Sequence, residues 1–243
     1  MQTPRALGQQ HTGRFAVLDD VARFGRAQAI DLLRKDGTLG LFGHTRAVVK
    51  DFSCALEAAG LQAQAHVWQL YHATLADALA STAAILQATD TQCADIAIQS
   101  DWGAELTQQS RALMQQCGVM PADEQTLRGQ VVPGLLAISR NSDGQIAGTG
   151  NLLWGHCEQG PWQGYAHLGM GSVDPTARQR ALGARMSAAL VQAAAGHAST
   201  AGFTAASAGD NPASQRLLGR CGFQLDAQRV CVMFTIDGTR RTR

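Results

Sequence analysis

Apolar positions along the 243-residue chain follow two periods that alternate, and the alternation predicts an α/β protein. After an Asp19-Asp20 start, Val21, Phe24, Ala27, Ile30 and Leu33 recur at helical spacing over residues 19–34. Gly37 and Gly40 bracket a short apolar run at 39–42 that reads as a small strand. A second helix over 46–59 is closed by Gly60. A strand over 65–71 and an Ala-rich helix over 75–87 complete an α-β-α-β-α stretch, which ends at the polar residues 89–92. Beyond that boundary the predicted order is β-α-α-β-β-β-α-β-α-β. It comprises a strand at 94–99, helices at 105–117 and 121–127, and strands at 135–140 and 145–154 around an Asp143-Gly144 turn. A strand at 165–173, a helix at 180–197, a strand at 202–207, a helix at 212–221 and a strand at 223–236 follow. Residues 1–14 are polar, rich in Gln, Gly and Arg, and are expected to fray.

A hydrophobic fraction of 45% against 16% charged residues provides for a sizeable core and excludes wholesale disorder. Lys and Arg total 20 and Asp and Glu 19, so no global basic field points to a nucleic-acid partner. The sequence has no apolar run long enough to span a membrane and no apolar leader, so a cytoplasmic protein is expected. Its six cysteines share no C-x-x-C spacing and its seven histidines form no H-E-x-x-H pattern. Neither a metal site nor a redox dithiol is therefore expected.

The informative stretch runs from Leu168 to Phe223. A strand ending in Ser172-Val173-Asp174-Pro175 leads through Arg178-Gln179-Arg180-Ala181-Leu182-Gly183 into a long helix. Unsatisfied backbone N–H groups and the positive dipole end of a helix face outward at such a turn and suit a phosphate or pyrophosphate. Small residues keep the approach open, and Arg178 and Arg180 add charge; an ordinary strand-to-helix turn with exposed arginines is the plainer alternative. About 30 residues on, Asn211 opens a helix that closes at Gly222-Phe223.

Together these two pieces resemble the GNAT acetyltransferase superfamily. Residues 173–183 resemble its V-x-P-x-x-R-x-x-G-x-G loop, with Ala181 at the first glycine, and residues 211–223 resemble its N-x-x-A-x-x-L-Y-x-x-x-G-F helix. The resemblance covers about 94–236 and implies an acyl-CoA N-acyltransferase fold: a mixed twisted sheet with helices on both faces. Residues 1–92 would form a smaller N-terminal α/β subdomain and 93–243 the acetyltransferase domain. Within the former, residues 46–71 faintly resemble part of a second, decayed unit of the same kind; a βαβ cap is the alternative, its Gly43-His44-Thr45-Arg46 turn also suited to an anion.

The resemblance further implies transfer of an acetyl group from acetyl-CoA, as co-substrate, to a primary amine of a small molecule or peptide. It implies that the strand at Gly171, Ser172 and Val173 splays from its neighbour, with Gly169 and Gly171 suiting a bulge. The N–H groups of Gln179, Arg180, Ala181, Leu182, Gly183 and Ala184 would cradle the pyrophosphate beside Arg178. Asn211, which can equally cap its own helix, would reach the cofactor, with Ser214 one turn on.

Leu218 stands where the family commonly has a proton-donating Tyr, and Cys221 is a poor substitute. This departure leaves an inactive acyl-CoA-binding sensor or scaffold as the alternative function. His167 is the candidate general base where many members place a Glu, against a plain sheet histidine. His156 and Glu158 are weaker acceptor-site candidates. Trp102, Trp154 and Trp162 are offered either to an acceptor wall or to core packing. The N-terminal segment is expected to shape the acceptor cleft or a contact in a homodimer.

Overall fold

The computed structural model describes residues 7–88, 96–178 and 181–237. Its first half holds strands β1 (Gln9–Gln10) and β2 (Val17–Leu18), helices α1 (Val21–Phe24) and α2 (Arg26–Asp36), and strand β3 (Thr38–Thr45). Helix α3 (Arg46–Ala58), strand β4 (Gln64–Thr74) and helix α4 (Leu75–Gln87) follow. Then come β5 (Ile96–Gln99), α5 (Gly103–Gln116), α6 (Glu124–Leu127), β6 (Gly134–Arg140), β7 (Ile146–Leu153) and β8 (Tyr165–Val173). A 3₁₀ turn (Pro175–Ala177) leads towards α7 (Leu182–Ala194), β9 (Gly202–Ala208), α8 (Pro212–Arg220) and β10 (Gln224–Thr235).

Local chemistry sets most of these limits. Gly25 adopts φ 101°, which only glycine takes without strain, and splits the helix expected over 19–34 into α1 and α2. Thr74 caps α4 by accepting from Asp77 N at 3.1 Å and donating to Asp77 Oδ2 at 2.7 Å. Pro212 supplies the fixed φ of a first helical turn, and the Asn211 side chain accepts from Ser214 N at 3.1 Å.

Ten strands form one mixed sheet in the order β1-β2-β3-β10-β4-β9-β8-β7-β6-β5. Residue 92 does not divide that sheet. The last strand, β10, lies between β3 and β4 and is antiparallel to both, while β4 pairs with β9. On one face α4, α7 and α8 pack on β4, β7, β8 and β9 around Phe203, Leu190 and Leu152, and α2 and α3 pack on β3 and β10 around Phe52 and Phe234. On the other face α5 and α6 pack on β6 to β8 around Met114 and Leu136. Among the described residues no helix is long and apolar enough to cross a membrane.

One sequence expectation is corrected outright. Residues 7–14 do not fray, because the segment is tied across the sheet by its backbone. His11 N donates to Gly155 O at 2.8 Å, Asp123 N donates to Gly13 O at 2.6 Å, and Gln10 and Thr12 are buried. Their polar side chains hide this role from any reading by hydrophobic period. Residues 1–6 lie outside the described part.

Candidate functional site

The two parallel strands at the centre, β8 and β9, pair only at Tyr165↔Gly202, Ala166↔Phe203 and His167↔Thr204. Beyond His167 they part. A bulge in β8 drives the separation: Met170 takes φ 52°, and the pairing with β7 slips between Thr149 and Asn151. The bulge therefore sits on Met170, between the two glycines that sequence reasoning selected for it.

A cavity of about 490 Å³ opens from this gap, within the range of small-molecule sites. Gly171, Ser172, Val173, Arg178, Gly183, Asn211 and Ser214 line one end. Of the remaining loop candidates, Leu182 and Ala184 turn their side chains into the core, leaving only backbone towards the turn. Gln179 and Arg180 lie outside the described residues.

The turn itself fits a pyrophosphate-bearing cofactor. Ala181 stands at the N-cap of α7 in the left-handed conformation (φ 54°), and no side chain caps the helix. The first N–H groups of α7 are thus free of an intramolecular side-chain partner. Helix α3, which follows β3 as α7 follows β8, differs here: Thr45 Oγ1 accepts from Val48 N at 3.4 Å and occupies that position. A side chain at Gly171 would meet nothing within 4 Å, so the β8 backbone is open to the gap. Asn211 caps α8 and also lines the cavity, so capping does not remove it from the gap.

His167 lies at the apex of the gap. Its Nδ1 is 3.3 Å from Thr204 Oγ1, which is 2.9 Å from His156 Nε2; His156 Nδ1 is 3.1 Å from Asp19 Oδ2. Asp19 also accepts from Cys157 N at 2.8 Å, and Asp19, His156 and Thr204 are all buried. The hydrogen-bonding order has a chemical consequence. With a neutral His156 donating from Nδ1 to the Asp19 carboxylate, its Nε2 accepts the Thr204 hydroxyl proton. Thr204 Oγ1 then accepts from His167 Nδ1, which leaves the His167 Nε2 lone pair unprotonated. That nitrogen lies over β8: a methyl on Gly169 would stand 3.2 Å from it. Burial above all, with the Arg14 cation adding to it, holds the His167 ring well below its ordinary pKa of 6.5.

The other end of the cavity comes from the N-terminal half. Gln10, Thr12, Arg14 and Phe15 face Leu41, Phe42 and Trp68 across it, with β10 residues 231–233 beneath. Sequence reasoning missed all of these, and it read Asp19 only as part of a helix start, a cap that Asp20 provides by accepting from Arg23 N at 3.0 Å.

The tryptophans offered as an acceptor wall are elsewhere. Trp102 donates to Leu136 O at 2.8 Å, Trp154 stacks on His197 at 4.2 Å between ring centroids, and Trp162 packs against Phe42 and Tyr165. Core packing claimed them because each is large and apolar, whereas Trp68 lines the cavity. Glu158 is exposed and His156 sits behind His167, so neither lines the cavity. Leu218 does line it, while the buried Cys221 thiol does not and is pushed up to about 11 by burial.

With this geometry in place, comparison with known proteins decides the family. The GNAT acetyltransferase domain profile matches residues 70–224, well over half the chain. The chain belongs to the GNAT acetyltransferase family. Membership places it among acyltransferases. No curated protein matches it.

Solved structures share the GNAT fold at low identity. A Drosophila protein superposes with a TM-score of 0.63 at 15% identity, covering 97% of this chain and 76% of its own. A tandem GNAT protein from the clavulanic acid biosynthesis pathway gives 0.59 at 16% identity, over 90% of this chain and 74% of its own. An N-acetyltransferase from Kribbella flavida gives 0.58 at 15% identity, over 93% and 79%. The matched region takes in the end of β4 and all of α4 from the first half of the chain, and each of these structures covers more of the chain than that region does.

Proposed function

We propose that this GNAT protein transfers an acetyl group from acetyl-CoA to a primary amine of a small molecule or peptide. One observation carries the reading: the β8–β9 gap leads in a single cavity from the uncapped start of α7, past His167, to a separate wall built by the N-terminal segment. When bound, acetyl-CoA supplies the activated acyl group as a thioester. Its pyrophosphate is expected against the N–H groups from Ala181 to Ala184 and beside Arg178, and its pantetheine arm along residues 169–173.

The acceptor amine must arrive uncharged. His167 suits that task because its ring is neutral and its Nε2 carries a free lone pair. Thr204, His156 and Asp19 are positioning residues, fixing the ring's tautomer as a buried carboxylate fixes a catalytic imidazole elsewhere. Holding amine and thioester together in one cavity supplies the proximity that direct transfer needs.

A second reading, an acyl-CoA-binding sensor without turnover, draws support from Leu218, an apolar residue at the cavity wall that cannot protonate a leaving thiolate. Calorimetric titration with acetyl-CoA, then thiol release across a panel of amines, separates the two. Binding with thiol release, abolished in His167→Ala while acetyl-CoA still binds, supports the enzyme. Binding without release from any amine favours the sensor, and absence of binding rejects both.

A further inference from the structure

The wall of the cavity opposite the phosphate turn holds a cation with no anionic partner among the described residues. Arg14 lines the cavity, and its Nε is buried without a hydrogen bond. No ion pair of Arg14 occurs among the described residues; its guanidinium rests 5.8 Å from the Phe15 ring centroid. A second orphan lies in the same wall: Gln10, 3% exposed, keeps its Oε1 buried and unbonded. No Asp or Glu is among the residues lining the cavity. Buried polar groups in a native fold are normally satisfied, and a buried cation is normally paired. Two such residues in the lining of one cavity, one of them a cation without an anion, point to a negatively charged ligand.

The cofactor's phosphates are not that ligand. Arg14 is close enough to His167 to act on its charge, whereas the phosphate turn lies beyond Val173. The six residue steps from His167 to Val173 span about 20 Å. Resting on the acyltransfer reading, we propose that the acceptor is an amino acid or related amine bearing a carboxylate. Arg14 pairs with the carboxylate.

The arrangement is chemically consistent. Burial lowers the Arg14 guanidinium only to about 10, so it is charged at neutral pH. A fixed positive charge beside the amine lowers the amine's own pKa and favours the neutral form that attacks. It also repels polyamines, whose extra ammonium groups find no carboxylate here.

The test compares thiol release with each of the twenty amino acids and with its carboxamide, in wild type, Arg14→Gln and Arg14→Lys. Preferred acids are expected to exceed their carboxamides in kcat/KM by about a hundredfold, the scale of a desolvated charge pair. Arg14→Gln should erase that gap while the acetyl-CoA Kd stays within a few fold, and Arg14→Lys should restore part of it. Equal rates for acids and amides in wild type overturn the proposal, as do better rates with amines that lack a carboxylate. Parallel loss on both in Arg14→Gln also overturns it.

A separate arm needs no turnover: calorimetry with N-acetyl amino acids and their amides. Tenfold or tighter binding of the acids, lost in Arg14→Gln, supports the site even if no thiol is released and the acyltransfer reading fails. Equal or absent binding of both overturns the proposal.

Discussion

Thr204→Val is the most informative single change, because it removes one oxygen atom and keeps the shape. Thr204 is fully buried, and its hydroxyl is the link between His156 Nε2 at 2.9 Å and His167 Nδ1 at 3.3 Å. Valine leaves both ring nitrogens without that partner in a buried setting. A stranded buried polar group costs about 1–3 kcal/mol, so a loss of about 2 kcal/mol is expected. For a protein of this size that lowers Tm by roughly 4–8 °C. The kinetic effect should be larger than the structural one. Without Thr204 the His167 proton is no longer held on Nδ1, and Nε2 is protonated part of the time. A positioned base supplies roughly 10²–10⁴-fold. Losing its fixed tautomer should lower kcat by about 10- to 100-fold with the acetyl-CoA Kd unchanged. Differential scanning fluorimetry, calorimetry and thiol release read the three quantities. Thr204→Ser, which keeps the hydroxyl, should recover most of the rate. A Thr204→Val protein with the expected Tm drop and wild-type kcat would refute the tautomer argument and leave the four-residue chain a structural feature.

Three further outcomes follow from the same geometry. Gly169→Ala places a methyl 3.2 Å from His167 Nε2 and 3.7 Å from Asn151 Oδ1, and should cut kcat about tenfold while Tm changes little, by thiol release and fluorimetry. Gly155→Ala drives a methyl into the His11 carbonyl, displacing the segment that carries Gln10 and Arg14. It should raise the acceptor KM several-fold and spare acetyl-CoA binding in calorimetry. His167 and His44 are both held below the ordinary histidine value of 6.5 chiefly by burial, so the unfolded chain takes up protons that the folded one refuses. Stability should therefore be full above about pH 6.5 and fall as pH drops below it. His167→Gln should flatten part of that fall in denaturant titrations at pH 5 to 7.

The wiring of β10 explains why the two halves of the chain act together. Strand β10 separates β3 from β4, and β4 in turn separates β10 from β9, so neither half closes its sheet alone. The cavity wall away from α7 joins residues from the N-terminal segment, β3, β4 and β10 because those elements are neighbours in space only.

What the sequence determined by itself is local. The cap at Asn211-Pro212, the Ala181–Gly183 turn, the Asp143-Gly144 hairpin and strand 165–173 follow from capping, turn and period rules acting within a few residues. The end of the cavity at the start of α7 was legible for the same reason: a strand, a turn and a helix adjacent in sequence build it. Tertiary structure decided the rest. Arg14 and Gln10 sit in a polar stretch with no period, and nothing within ten residues reveals that His11 will bond to Gly155. Asp19, His156, Thr204 and His167 come from four separate segments and meet only when β8 pairs with β9 and the loop before β8 folds back over β2. Sequence patterns record which face of an element is buried. They do not record which elements share that face, and the acceptor end of this cavity depends on the second.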